Sequence, residues 1–332
     1  MLQQGPQKPP MPLTGTRQAA QSGGNTNASI PTPTLFQAAT MWASLAAMTP
    51  LFDFAATLRA QERALRLGGD TFLFAAAAEG VADRLAAVTR RFQHGLWIGP
   101  SANEGAPSNE HVPEELRSFA TRWSVGRFDA LERLDAPAGA CDLVVSLYSL
   151  QAVNDLPGAL AQLRRALTPD GLALVALLGG GTLKELREAF AEGESATRGG
   201  ISPRVSPFAD VRELGALLSR AGFALPVADV ERLTVRYGDF FALARDLRAH
   251  GFTNIMAERS RRPLRRDTLA AMLRHYAQAH GVDAKLAATF ETIFLTGWSP
   301  HESQQQPLRP GSAKARLAEA LGTAEIPAGE KP

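Results

Sequence analysis

The sequence predicts an α/β protein with a largely parallel sheet, and three consecutive segments carry this prediction. Residues 142–147 and 172–178 are short apolar runs rich in Val and Leu, which is typical of strands buried on both faces. Between them, leucines spaced four, three and four residues apart form the apolar stripe of a helix over 156–167. This strand, helix and strand form a βαβ unit. Ligands of such sheets bind beyond the carboxyl ends of the strands, here 146–152 and 179–182.

The segments before this unit predict two helices, a short strand, a third helix and a weak strand. The second helix has an inner apolar face that includes Leu73, Val81 and Leu85. The predicted ranges, in chain order, are 52–66, 72–92, 96–98, 114–122 and 124–134. The strand at 96–98 ends at Gly99-Pro100, because a proline after glycine is a strong turn signal.

The segments after the unit predict four helices and two further strands. The helices are predicted at 183–194, 210–221, 240–250 and 265–280, and the strands at 227–237 and 290–298. The total is a sheet of six or seven strands. Since two helices fall between the last two strands, residues 239–285 are predicted to form a helical lid over the strand ends.

Composition excludes several classes of protein. The chain has 332 residues, 45% of them hydrophobic, and a net charge of +2, which is too small to indicate nucleic-acid binding. A single cysteine, Cys141, excludes a disulfide framework and is interpreted as a core thiol. His275 and His280 are five residues apart, a spacing that does not place them on one helix face, so no metal site is predicted.

The ends of the chain differ in composition from its centre. Residues 1–47 have little to bury and are predicted to be a disordered extension, with Met48 a plausible initiator. The folded domain is predicted over 48–321 and a flexible tail over 322–332. No apolar run reaches the roughly 20 residues that span a membrane, so we expect a cytoplasmic protein without a membrane span.

Residues 141–180, CDLVVSLYSLQAVNDLPGALAQLRRALTPDGLALVALLGG, resemble the fourth strand, following helix and fifth strand of class I S-adenosylmethionine-dependent methyltransferases. The resemblance extends over 48–321 and is greatest to two branches of that family. One includes the malonyl-carrier-protein methyltransferase of biotin synthesis. The other is the mitochondrial respiratory complex I assembly factor that is an arginine hydroxylase, with its bacterial relatives. The resemblance implies a Rossmann-like seven-stranded sheet whose last strand is antiparallel.

The resemblance also implies a binding site for S-adenosylmethionine, but the first strand departs from the family pattern. Trp97 stands where the family has an acidic residue, and Pro100 interrupts the glycine-rich turn after Gly99. Proline has no amide donor for the cofactor. The acid of the second strand is not evident, and Asp129 is taken to follow the third strand. The implied cofactor-binding residues are Gly99, Ser101, Asp129, Ala130, Leu131, Ser146 and Tyr148.

Three polar residues are candidates for catalysis, each with a structural alternative. Asn154, beside Asp155, is either on the substrate side of the strand end or part of a helix cap. His301 and Glu302 suit acid–base chemistry, or belong to a tail that packs across the sheet. An arginine-rich run over 259–266 suits an acidic partner or RNA, but no aromatic residues are interleaved for base stacking, which favours a solvated helix start.

Two functions are therefore carried forward from the sequence. The first is an enzyme that uses S-adenosylmethionine, either a methyltransferase or an arginine hydroxylase, with a subunit of respiratory complex I as its protein substrate. The second is a non-catalytic assembly protein that keeps the fold as a scaffold. The stretch around Trp97 to Asn103 separates the two, because an intact glycine turn there would favour the enzyme. An RNA-binding protein is a third and weaker alternative, and no nucleic acid is expected as a partner.

Overall fold

The computed structural model describes residues 50–68, 71–99, 108–305 and 322–323. The extension predicted over 1–47, most of the tail predicted over 322–332, and Ser101 and Pro100 of the altered loop lie outside these ranges.

Helices and strands alternate through most of the described chain. The α-helices are α1 Phe54–Leu67, α2 Phe72–Ala86, α3 Glu114–Arg117, α4 Leu156–Ala166, α5 Lys184–Arg198, α6 Val211–Arg220, α7 Phe240–Ala249 and α8 Arg266–His280. The strands are β1 Phe92–Ile98, β2 Ala120–Val125, β3 Cys141–Leu147, β4 Leu167–Leu178, β5 Ala224–Tyr237, β6 Gly281–Val282 and β7 Lys285–Trp298.

The strands that the structure describes form one seven-stranded sheet in the order β2-β1-β3-β4-β7-β5, with the short β6 also paired to β7. The pairs among β2, β1, β3 and β4 are parallel, whereas β7 runs antiparallel to both β4 and β5. The predicted α/β class and the antiparallel last strand are thereby confirmed. We call the side where β1, β3 and β4 end the carboxyl edge of the sheet, and the opposite side the amino edge.

Helices cover both faces of the sheet. On one face, α2, α5 and α8 pack against a core that includes Leu143, Val145 and Phe290. On the other, α4 and α6 pack against a second core that includes Val144 and Val175. Since both faces of β3 and β4 are covered, their residues are almost all buried, which explains their continuous apolar sequences.

The central βαβ unit forms as predicted. Asp155 is the N-cap of α4, where its carboxylate accepts a hydrogen bond from the backbone amide of Gly158 at 2.8 Å. Pro157 occupies the first turn, where a missing amide hydrogen is tolerated. Leu160 and Leu163 are fully buried on the inner side of the helix.

Two predicted boundaries near β1 and β2 are wrong. The helix predicted over 72–92 ends at Ala86, and Phe92 is the first residue of β1 instead. The helix predicted over 114–122 is the single turn α3, and the strand predicted from 124 begins four residues earlier. The physical reason is strand pairing: Phe92 lies opposite Ala120 in the β1–β2 ladder, and this long-range contact overrides local helix preference.

The segment predicted as a lid, 239–285, contains α7 and α8. Its connecting loop docks on the start of α1, where Asp53 donates its backbone amide to Ile255 and its carboxylate pairs with Arg259 at 3.0 Å. Phe52, Ala56 and Met256 are buried in this contact. The inserted segment is thus attached to the helix that precedes the sheet.

Candidate functional site

A cavity of about 870 Å³ opens at the carboxyl edge of the sheet. This volume lies within the usual range of small-molecule sites, roughly 300–1,000 Å³. Its walls come from the ends of β1, β3 and β4, from α1 and α7, and from the loops after β2 and α5. Polar or charged residues that line it include Glu62, Glu110, His111, Arg117, Arg127, Asp129, Glu132, Arg204, Arg248 and Asn254.

The end of β1 carries the most unusual residue of the cavity, Trp97. Its side chain is buried, with 2% exposure, and its indole Nε1 has no hydrogen-bond partner among the described residues. A Cβ atom at Gly99 would lie 2.3 Å from Cζ2 of this indole. The glycine is therefore required by the tryptophan beside it, because any larger residue would collide with the ring.

The loop after β2 places two carboxylates, those of Asp129 and Glu132, at the cavity wall. Asp129 accepts hydrogen bonds from the backbone amides of Leu131 at 2.8 Å and Arg133 at 2.9 Å, and pairs with the Arg133 guanidinium. These bonds, led by the one from the Arg133 backbone, lower the pKa of Asp129. Ala130 and Leu131 are exposed and do not line the cavity.

The interpretation that Asp129 follows the third strand of the sheet is corrected by the pairing. The strand before it, β2, pairs directly with β1, so Asp129 follows the neighbour of the first strand. The weak strand predicted over 124–134 is part of β2 only as far as Val125, and its later residues make only an isolated bridge between Phe128 and Leu134. Asp129 therefore stands close to where the resemblance implies the ribose-binding acid.

The end of β3 holds Ser146 and Tyr148. Ser146 is fully buried, its hydroxyl has no partner among the described residues, and it does not line the cavity. Tyr148 lines the cavity in a left-handed conformation with φ of 49°. Its hydroxyl shares a 2.7 Å hydrogen bond with Thr292, and burial raises its pKa to about 12. The phenol thus stays protonated at neutral pH.

Asn154 has a structural position. Its side-chain oxygen accepts a hydrogen bond from the backbone amide of Phe52 at 2.8 Å, and its side-chain nitrogen donates to Glu132 at 2.8 Å. It does not line the cavity, and the cap of α4 is Asp155. Asn154 therefore ties the start of α1 to the loop after β2 and has no free group for a substrate.

His301 and Glu302 lie at the amino edge, on the opposite side of the sheet from the cavity. Because β7 is antiparallel to β4, its last residue, Trp298, pairs with Leu172 at the beginning of β4. The chain then continues along that edge, where Ser299 donates to the Gly171 carbonyl. His301 and Glu302 are exposed there and lie away from the cavity, so the structure does not bring these two catalytic candidates to it.

Sequence reasoning missed the aromatic wall of the cavity. Phe74, Tyr148, His250 and Phe252 contact one another with ring centroids 5.3–5.8 Å apart. His250 is buried, and its Nδ1 lies 2.8 Å from the Asp246 carbonyl. These residues come from α2, the end of β3 and the loop after α7, and no local sequence pattern links them.

The prediction that a five-residue spacing keeps His275 and His280 apart is wrong. The two rings lie with centroids 6.4 Å apart, and both contact Glu188 of α5. These three residues do not line the cavity.

No helix of the described chain is long and apolar enough to cross a bilayer.

The residues around β1 do not offer the contacts that the resemblance implies for S-adenosylmethionine. Trp97 replaces the first-strand acid, its indole lies over Gly99, and the Asp129 carboxylate is held by Arg133 and backbone amides. Glu132 is similarly engaged by Asn154 and by the backbone amide of Asp155. The cavity is preserved, but its fit to the cofactor is reduced at β1.

Comparison with known proteins places this fold in a family. A methyltransferase domain family model matches residues 45–226. The chain is 35% identical to the mitochondrial arginine-hydroxylase NDUFAF5 of Danio rerio over 72% of this chain and 78% of that protein. It is 42% identical to the same-named protein of Dictyostelium discoideum, over 56% of this chain but only 43% of that longer protein.

A second group of similar proteins has another name. The chain is 38% identical to the malonyl-[acyl-carrier protein] O-methyltransferase of Laribacter hongkongensis, over 65% of this chain and 70% of that protein. The family model covers more than half of the 332 residues. The protein therefore belongs to the methyltransferase domain family.

Proposed function

We propose that this protein acts in the assembly of respiratory complex I, on a protein substrate, with reduced affinity for S-adenosylmethionine. The observation that carries the reduced affinity is the indole of Trp97, which is buried at the end of β1 and lies over Gly99. Similarity to the arginine-hydroxylases named NDUFAF5 supports an arginine side chain of a complex I subunit as the target. Similarity to the O-methyltransferases supports methyl transfer as the other candidate reaction.

The cavity itself supports a role in binding. It is large enough for a small molecule, and α7 of the inserted segment forms one of its walls. We therefore assign to residues 239–285 the role of a lid. Carboxylates of Glu62 and Glu110 line the same cavity, and such groups bind a guanidinium through charge-assisted hydrogen bonds.

The same observation favours a second candidate, a non-catalytic assembly protein. A tryptophan cannot accept the hydrogen bonds that an acidic residue would make with a cofactor. Charge-assisted bonds contribute about 1.5–3 kcal/mol each, so their loss lowers affinity by one or two decades. A protein with a closed cofactor site would keep the sheet as a scaffold for its partner.

Calorimetry with S-adenosylmethionine and its demethylated product tests the cofactor part of the proposal. A ligand present at 100 times its Kd stabilises the fold by about 2.7 kcal/mol. Because we expect S-adenosylmethionine to bind weakly, its concentration should stay well below that ratio and the rise in melting temperature should be small. The double variant Trp97→Asp, Pro100→Gly should bind more tightly. Trp123→Phe, a change at a buried tryptophan on β2, serves as the matched control and should not. Micromolar binding by the natural protein would contradict the reduced-affinity proposal.

Mass spectrometry of complex I subunits distinguishes the two candidate functions. In cells that lack the gene, assembled complex I should fall, and one subunit should lose a modification with the mass of a methyl group or of an oxygen atom. If returning the gene restores assembled complex I without any change in subunit mass, the protein acts as a non-catalytic scaffold. Normal complex I levels without the gene would contradict both.

A further inference from the structure

A glutamate and two histidines come together outside the cavity, on the surface formed by two packed helices. Glu188 lies in the first half of α5, while His275 and His280 lie in the last two turns of α8. Five residues along a helix normally separate two side chains by about 140° around its axis. Here His280 is the last helical residue, and its ring turns toward Tyr276 and His275, with centroid distances of 6.0 and 6.4 Å.

Two distances within this cluster match the spacing of neighbouring ligands of one metal ion. Nε2 of His275 lies 3.3 Å from one carboxylate oxygen of Glu188, and Nε2 of His280 lies 3.2 Å from the other. One donor atom from each of the three residues can be chosen so that all lie within 4.8 Å of one another. Bonds of about 2.0–2.2 Å to a tetrahedral ion place neighbouring donor atoms about 3.3–3.6 Å apart.

Each close contact in the cluster also requires a proton or a cation between its two atoms. A carboxylate oxygen and an unprotonated imidazole nitrogen both carry lone pairs, so each close contact needs a shared proton or a shared cation. Within the described part of the chain, each of the two rings has Glu188 as its only hydrogen-bond partner. One cation in front of the carboxylate would satisfy both rings at once.

We propose that Glu188, His275 and His280 form a binding site for a divalent transition-metal ion of the zinc type. Two imidazoles and one carboxylate are donors that suit zinc and its neighbours, whereas magnesium and calcium take oxygen ligands. Three protein ligands leave a fourth position for water. All three residues remain partly exposed, so an ion can reach the site from solvent.

The helices that carry the ligands are held rigidly, as a preformed metal site requires. Gly193 of α5 lies against Met272 of α8 so closely that a Cβ atom would come within 2.8 Å of the Met272 backbone. Thr197 and Thr268 share a 2.8 Å hydrogen bond across the same contact. A metal ion would therefore link α8, in the inserted segment, to α5, which covers the sheet, and would raise the melting temperature.

Titration of the metal-free, full-length protein with Zn²⁺ and Co²⁺ tests this site. We expect binding of one ion per chain, a visible absorption band typical of tetrahedral Co²⁺, and a higher melting temperature, with no effect of Mg²⁺. The double variant His275→Ala, His280→Ala should lose more affinity than the roughly 10- to 100-fold that loss of an outer-shell partner causes. Glu188→Gln should also bind more weakly.

His301→Ala is the matched control, since His301 is an exposed histidine at the amino edge. It should bind Zn²⁺ as the natural protein does. Equal Zn²⁺ affinity in the natural protein and in the double variant would overturn the proposal, as would the absence of binding by the natural protein at millimolar Zn²⁺. Because the changed side chains lie at the surface, circular dichroism of each variant should match that of the natural protein, and a misfolded variant would be replaced by Glu188→Gln alone.

Discussion

The two edges of the sheet differ in the hydrogen bonds and ion pairs that their polar side chains make. At the amino edge, the Asp142 carboxylate accepts the backbone amides of Gln93 and His94, both at 2.8 Å. Arg90 pairs with Asp170, which also accepts a hydrogen bond from Gln304. These side chains tie β1, β3, β4 and the segment after β7 together, so this edge is closed.

The carboxyl edge keeps buried polar atoms without partners. The indole Nε1 of Trp97 and the hydroxyl of Ser146 are both buried and unpaired among the described residues, as is Nδ1 of His94 near the start of β1. Unpaired buried polar atoms are rare and destabilising, and they occur where a ligand or a water completes the structure. The carboxyl edge differs from the amino edge because the cavity opens there and Trp97 lines it, so this edge is the one available for binding.

One ion-pair cluster holds the cavity wall at the carboxyl edge, and its loss should produce the largest effect. The Glu194 carboxylate is fully buried and pairs with Arg204, which lines the cavity, and with Arg198. Glu194→Gln should lower the free energy of unfolding by about 3 kcal/mol, since removal of one partner of a buried pair leaves the other uncompensated. Urea denaturation measures this, and Glu192→Gln, an exposed neighbour on α5, should change it by less than about 0.5 kcal/mol.

The same cluster predicts a pH dependence. Burial alone would raise the pKa of Glu194, but hydrogen bonds from Ser202 and Arg204 more than offset it, so its pKa lies below the ordinary value of 4.5. Its contribution to stability is therefore complete above pH 4.5 and is lost as the pH falls through the lowered pKa. The stability difference between the natural protein and Glu194→Gln should narrow as the pH falls below 4.5 and through the lowered pKa of Glu194. A constant difference would show that Glu194 is not ionised.

At the amino edge, Asp142→Ala should produce an intermediate effect. It removes the acceptor of two backbone amides, and hydrogen bonds to a charged group contribute about 1.5–3 kcal/mol, so we expect a loss of about 2 kcal/mol. Asp135→Ala changes an exposed aspartate shortly before β3 and should be nearly neutral. If the two variants were equally stable, the hydrogen bonds that Asp142 accepts at the amino edge would not stabilise the sheet.

The sequence contained enough information for the centre of the sheet. Leu160 and Leu163 repeat at helical spacing, Asp155 and Pro157 mark the start of α4, and the flanking strands are apolar throughout because both faces are covered. These signals are local, so they can be recognised within a short window. The antiparallel direction of β7 came from the family resemblance, and it already implied that His301 would lie at the amino edge.

The candidate site was harder to predict, because it depends on contacts between distant residues. The end of α2 at Ala86 is set by the pairing of Phe92 with Ala120, and the place of Asp129 is set by the pairing of β2 with β1. The aromatic wall combines Phe74 with His250, which are far apart in the chain. Gly99 was noticed for the cofactor, yet in the structure its neighbour Trp97 is what requires it.

The smallest expected effect comes from a pair of tryptophans on adjacent strands. Trp97 and Trp123 are both buried in the same core, but only Trp123 donates its indole Nε1, at 3.1 Å to the Arg117 carbonyl. Trp97→Phe removes ring area, which costs about 1 kcal/mol, and also removes an unpaired buried donor, which offsets that loss. We expect a net change within about 1 kcal/mol.

Trp123→Phe loses similar ring area together with a real hydrogen bond, so it should be less stable than Trp97→Phe by about 1–2 kcal/mol. Urea denaturation of both variants in the same buffer gives this difference directly, because the ring area largely cancels between them. Equal losses would mean that Nε1 of Trp97 is already satisfied, by a water molecule that enters from the cavity. Trp97 would then be a structural core residue, and its indole would not be a group left for a ligand.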